Sequence, residues 1–357
     1  MNQMNQRLAV AAAVLLALSV FSYWNSVSRA ERFESGQKFL PNLNPDEIAQ
    51  VAVIQGGEQV TLTREGDRYV VEEAHDYQAR NEGVNRLVRN LLDIELAKEV
   101  GSGESLAAEL GIEPPGEDTV EVALRNAAGS DMVRLRIGDR FADGSGNYVR
   151  RLDGEDDPIY LTETTVLIDS AADQFLQKEI VDVASGDVVR IEGPDFTFSN
   201  DGEEGEELAL ERVPSGRREK TSEVGRVKNF LSRLRFSEVH LADAGEVADL
   251  SFDSEFRYEL ADGSGYLVAV AAREDDRYIR IGGYHTVQQV EIERDTPDEE
   301  LQEKADILNR AEEMQDFNEY HGSWVYKLDS FTGEKLDLRR ADLIEDEEDE
   351  QTQETDS

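Results

Sequence analysis

The longest apolar stretch of the chain runs from Leu8 to Trp24, without a charge and with only Ser19 and Ser22 as polar positions. As a helix rising about 1.5 Å per residue it reaches roughly 25 Å, near the lower limit for a hydrocarbon core of about 30 Å. Leu8, Leu15 and Leu16 supply the apolar body, and Phe21, Tyr23 and Trp24 close it with rings suited to the headgroup level. The pattern predicts a signal-anchor within residues 1–30. A cleaved secretory signal is the competing reading, with Arg7 ahead of the run and Ser28-Arg29-Ala30 at the processing position. Both readings imply export, and a short leading segment places the bulk of the chain across the membrane.

Residues 31–46, broken by Gly36, Pro41 and Pro45, read as a linker. From residue 47 the pattern changes to alternation. Val51 and Val53, Val60 and Leu62, and Tyr69 and Val71 predict three short strands joined at Gly56-Gly57 and Gly66-Asp67. Val84, Leu87, Val88 and Leu91 then fall at i, i+3, i+4 and i+7, which predicts a helix from about Asn81 to Ile94 that lies on the sheet. Strands follow near Val120–Leu124, Val133–Ile137, Tyr148–Arg150 and Ile159–Leu161, then a mixed segment to Val181.

The same order recurs. Val188–Ile191, Phe196–Phe198 and Leu208–Leu210 replay the meander, and Val224, Val227, Leu231 and Leu234 replay the helix stripe. Strands near Phe256–Leu260, Tyr266–Val270, Tyr278–Ile281 and Trp324–Leu328 complete it. The expected fold class is α+β, with a transmembrane helix ahead of two repeated units of antiparallel sheet carrying a packed helix. The units are expected over 47–183 and 184–344. The second carries an insert over 282–323, placed where the first passes from Ile137 to Tyr148. Thr296-Pro-Asp-Glu299 reads as a helix start, and Leu301, Ala305 and Leu308 as a narrow stripe, so this helix is expected to shield a sheet edge or to present a docking surface.

Charge narrows the function. The 78 Asp and Glu outnumber the 37 Lys and Arg, for a net charge of -41, a field that repels nucleic acid and anionic headgroups. The eight acids of residues 345–357 have no apolar companion there, so that tail is expected to stay solvated. Without cysteine there is no disulfide, thiolate metal site or cysteine nucleophile.

No motif carries catalysis, and no catalytic, metal or cofactor residue is expected. Gly101-Ser-Gly103 and Gly144-Ser-Gly146 lack the remaining elements of a phosphate loop. Ser35-Gly-Gln-Lys38 has the Ser-x-x-Lys spacing but lacks its partner motifs. His75, His240, His285 and His321 have no short ligand spacing, leaving only convergence of His285 with His321. The turns from Asp143, Asp153 and Asp201 offer oxygen ligands, but none meets the EF-hand spacing. The basic run Arg212 to Lys220 reads as a solvated loop of local ion pairs, or as one anion contact.

The turn Gly111-Ile-Glu-Pro-Pro115, then Leu135-Arg-Ile-Gly138, Tyr148-Val-Arg150 and Pro158-Ile-Tyr-Leu161, echoed by Trp324-Val-Tyr-Lys-Leu328, follow an apolar start. In these features the chain resembles the bacterial membrane-anchored proteins of domain-of-unknown-function family 4340, over roughly Glu47 to Ile344. The resemblance implies a single-pass inner-membrane protein with its bulk in the periplasm. It further implies a non-enzymatic accessory of an ABC-type export or gliding-motility-like assembly, with envelope or transporter proteins as partners. The alternatives are an envelope hydrolase acting on glycan through carboxylates between the copies, and a calcium-stabilised binding module.

Overall fold

The computed structural model describes residues 35–113, 117–154, 157–200, 208–286 and 297–347, with an isolated helical position at Ser19. The expected anchor residues Leu8, Leu15, Leu16, Phe21 and Trp24 lie outside this set, as do residues 348–357 of the expected tail. Among the described residues, no helix is long and apolar enough to cross a membrane. The chain divides into two compact units, Met1–Gln177 and Lys178–Ser357.

In the first unit the strands are β1 Gln37–Lys38, β2 Gln50–Gln55, β3 Glu58–Glu65, β4 Arg68–Val71, β5 Tyr77–Gln78, β6 Glu95–Gly101, β7 Val120–Arg125, β8 Asp131–Arg140, β9 Asn147–Arg151 and β10 Ile159–Thr162. They form one sheet in the order β1-β6-β10-β9-β8-β7-β2-β3-β4-β5. Alternation sets its register: Val53 pairs with Val60 on one side and Val122 on the other, and Val122 with Leu135. All four are fully buried, because a period of two sends every second side chain to one face. Helix α1, Asn81–Leu92, buries Val84, Leu87 and Leu91 as its spacing requires. It carries the chain from the β4–β5 side to β6, beyond β10. A short helix, α2 at Glu104–Glu109, follows.

The segment expected as a linker is part of this fold. β1 pairs with β6, and Phe39 and Leu40 are buried. β6 itself gave no sequence signal, because only Leu96 of its seven residues is buried.

In the second unit the strands are β11 Glu179–Val181, β12 Val188–Glu192, β13 Thr197–Ser199, β14 Ala209–Leu210, β15 Arg217–Glu219, β16 Leu234–Arg235, β17 Glu238–Leu241, β18 Ser254–Leu260, β19 Ser264–Arg273, β20 Asp276–His285, β21 Trp324–Lys327 and β22 Ile344–Asp346. The main sheet runs β14-β13-β12-β18-β19-β20-β21-β17. Read against β4-β3-β2-β7-β8-β9-β10-β6 of the first unit, the two orders correspond strand for strand. Helix α3, Thr221–Lys228, holds the place of α1 and buries Val224 and Val227. It is shorter than expected. After Asn229, Phe230 and Leu231 are buried from a turn, Arg233 takes a left-handed backbone, and Leu234 opens β16. The apolar spacing persists there without helical geometry. Phe230 stacks on Tyr258 of β18, with centroids 6.0 Å apart.

The helical insert is α4, Asp298–His321. It lies between β20 and β21, whose counterparts are β9 and β10, one connection later than the sequence reading placed it. Of the expected stripe Leu301 and Ala305 are half-buried, but the most buried residues lie further along. Leu308 is 47% exposed, whereas Met314 and His321 near the other end are buried. There Phe317 meets Tyr266 edge to face at 5.3 Å, and the Asn318 amide donates to Gly283 O at 2.7 Å and accepts from Gly283 N at 2.8 Å. β21 pairs with β20 only at Tyr278 and Ile279, so Asn318 satisfies a stretch of edge that no strand covers. Gly283 allows this close approach, since a Cβ there would stand 2.7 Å from the Met314 sulfur and the methionine would have to shift. This is the edge-shielding role expected of the insert.

The acidic tail begins inside the fold and not after it. β22 pairs antiparallel with β15, joining Arg217 to Asp346, Arg218 to Glu345 and Glu219 to Ile344.

Candidate functional site

On the sheet face opposite Val122 and Leu124, the first unit carries a row of charges that its strand parity dictates. Glu121 of β7 stands beside Arg136 of β8, and Arg136 beside Arg150 of β9. Glu121 accepts from Arg134 Nε and from Arg136 Nε, each at 2.8 Å. Arg136 Nη1 also meets Glu113 at 2.5 Å, the latter reaching over from the turn after α2. Ala107, Ile112 and Ile159 pack together as a fully buried cluster, and Ile159 is the register partner of Arg150. Arg150 is only 6% exposed; its Nη1 lies 3.7 Å from Glu113, and its Nε has no hydrogen-bond partner among the described residues.

Burial alone would raise the Glu121 pKa, but the hydrogen bonds and charges of Arg136 and Arg134 outweigh it and hold the carboxyl below its ordinary range. Such a group stays ionised at neutral pH, accepts hydrogen bonds and gives up no proton. The row can therefore fix strands or meet an anion, but its acid is set against proton transfer. Part of the sequence signal was available: Glu121 alternates with Val120 and Val122, and Arg134 and Arg136 with Val133, Leu135 and Ile137, and the register of β7 with β8 puts the three on a common face.

The residues singled out by the sequence are not gathered around this row. Ser35 Oγ donates to Glu163 at 2.7 Å, and Lys38 Nζ bridges Glu95 at 3.0 Å and Asp93 at 3.3 Å. The hydrogen bond that Lys38 donates to Glu95 is the chief reason that the Lys38 pKa is raised, so this ammonium is held charged and cannot serve as the base that a Ser-x-x-Lys pair needs. His75 caps a short helical turn in a left-handed conformation. His240 Nδ1 lies 3.1 Å from Glu246. His321 is buried with the Tyr326 hydroxyl 2.6 Å from Nδ1, and desolvation lowers its pKa to about 4. No group of three or more His, Asp or Glu able to hold a metal occurs among the described residues, so His285 and His321 do not converge into one.

Asp143 is occupied by Ser145, and Asp153 accepts from the backbone N–H of Arg134 and from Arg151, so these two carboxylates are used internally. The turn from Asp201 lies outside the described residues. The basic run has a partner far along the chain: Arg217 meets Asp346 at 2.9 Å and Arg218 meets Glu345 at 3.0 Å. Near the β8–β9 turn, a cavity of about 640 Å³ is lined by Asp118, Val120, Asp139, Arg140, Asn147 and Leu167, among others. Its buried Asn147 amide is committed to Gly138 O and Val166 N.

No curated protein and no solved structure matches the chain. A family model described as a domain of unknown function, DUF4340, matches residues 69–255, from β4 to the start of β18. With more than half of its length matched across strands of both units, the chain belongs to the DUF4340 family.

Proposed function

We propose that this chain is a non-catalytic docking module, tethered to a bacterial inner membrane by Leu8–Trp24 with both sheet units in the periplasm. There it serves an ABC-type exporter or a gliding-motility-like envelope assembly. The two units descend from one by duplication, a reading supported by their matching strand orders.

The observation that favours a non-catalytic role over a glycan hydrolase is the state of the carboxylates. Among the described residues, each one that departs from its ordinary pKa is held below it. In Glu121, Asp262 and Asp329 burial pushes upward and is outweighed by donors, while Asp143 takes the donors of Ser145 and Glu223 those of Arg226. A glycan hydrolase needs the reverse, one carboxyl raised so that it keeps a proton to give. The tether reading is supported by the uncharged run and its closing aromatic residues.

Crosslinking of the full chain in its native membranes, followed by affinity capture, is expected to recover transporter permease or ATPase subunits. Alkaline carbonate is expected to leave the chain in the membrane pellet. Repeated capture without any transporter or envelope subunit overturns the docking role. Extraction by carbonate overturns the tether.

A further inference from the structure

Independently of any tether, we infer that β15 is a docking strand for an extended acidic peptide, and that the chain's own segment Ile344–Glu347 occupies it as a competitor in cis. The basic run Arg212 to Lys220 is a rare concentration of positive charge in a chain of net charge -41, and an acidic strand is what lies along it. The zipper is wider than the three paired residues of each strand. Lys220 N donates to Leu343 O at 2.9 Å and Glu347 N to Gly216 O at 3.0 Å, so the same register runs from Gly216 to Lys220. Gly216, with φ +81°, makes the turn that presents this edge, and Arg217 N closes it on Pro214 O at 3.1 Å.

Recognition along the strand has two parts. The backbone ladder accepts any extended chain, and Arg217 and Arg218 select acids at two successive positions, answered here by Asp346 and Glu345. Of the other nearby charges, Lys220 is engaged with Glu223, Arg340 with the carbonyls of Glu211 and Arg212, and Glu219 with Leu210 N. Leu343, just before the strand, is fully buried, whereas Glu345 is half-buried with its side chain 40% exposed and Asp346 is exposed. The fold therefore pins the chain up to Leu343 and holds the next residues by a short ladder and two solvent-exposed ion pairs. Exposed pairs are weak and screened by salt, so the occupant is exchangeable. A peptide bearing an aliphatic residue followed by consecutive acids fits the vacated edge in the same register.

The test uses the full chain, a full-chain variant Glu345→Pro/Asp346→Ser that opens the strap, and a fluorescein-labelled peptide with the sequence of Leu343–Glu350. Fluorescence anisotropy at low salt is expected to show the peptide binding the opened chain at least ten-fold more tightly than the unaltered one. Adding Arg217→Glu/Arg218→Glu to the opened chain is expected to abolish binding. Hydrogen exchange on the unaltered chain gives a second readout that needs no variant to fold: excess peptide is expected to release the Glu347 amide from protection while the fold up to Leu343 keeps its own. Equal binding by opened and unaltered chains, binding that survives the arginine reversal, or a Glu347 amide that ignores the peptide each overturns the assignment.

Discussion

Replacing Glu121 by Ala removes the carboxylate that two guanidiniums share in the first sheet. Arg134, with its side chain 47% exposed, can rehydrate, so its share is that of a surface pair, about 0–1 kcal/mol. Arg136 is only 16% exposed and keeps Glu113, but it loses one of its two carboxylate partners beside the buried Arg150. Breaking a fully buried pair costs about 3–5 kcal/mol, and the remaining Glu113 contact brings the total here to about 2–3 kcal/mol. For a unit of this size that lowers the melting temperature by about 5–10 °C. The diagnostic is the double variant Glu121→Ala/Arg136→Met. Removing the orphaned charge is expected to recover at least half of the loss, a coupling of about 1–2 kcal/mol between the sites. Urea denaturation of the detergent-solubilised chain, followed through the transition of the unit that carries the row, measures both variants. A single variant that loses under about 0.5 kcal/mol, or a double variant whose losses simply add, refutes the view that this row is an electrostatic unit.

Three further outcomes follow from separate parts of the fold. His321 has a folded pKa near 4 against 6.5 in the unfolded chain, so its contribution is complete above pH 6.5 and declines as pH falls toward 4, by about 3 kcal/mol; unfolding measured across that window should lose this slope in His321→Asn, and an unchanged slope refutes the assignment. Asn318→Ala leaves both edge groups of Gly283 without their partner, at a cost of about 1–2 kcal/mol, and hydrogen exchange at the Gly283 amide should accelerate at least ten-fold if the edge is shielded as described. Raising sodium chloride should raise the melting temperature by screening the repulsion of a chain of charge -41, while exchange at Glu347 speeds up as the strap's ion pairs are screened; movement of both in the stabilising direction contradicts the exposed-pair account of the strap.

What the sequence disclosed follows how much each segment buries. Strands β2, β3, β7 and β8 pack a whole face, so alternation at Val51, Val53, Val60, Leu62, Val122 and Leu135 was legible. At the sheet margin, β6 buries only Leu96 and β1 neither of its residues, so the pattern there was polar although Phe39 and Leu40 beside them enter the core. The insert was legible as a helix but only partly in its packing, because its deepest contacts with β20 come from Met314 and from a polar residue, Asn318, whose hydrogen bonds no apolar pattern announces. Charge was the least legible of all. Local reading supplied the basic run with neighbouring acids, whereas Arg218 chose Glu345 across 127 positions of sequence. Among so many carboxylates, composition guarantees that an arginine finds an acid; only the backbone decides which one. At β15 that decision is made by a strand register, and in the charged row by the parity of three adjacent strands. The two electrostatic features of this protein are therefore consequences of its sheets, and substitutions that shift a strand by one residue should disable them more completely than substitutions that remove a single charge.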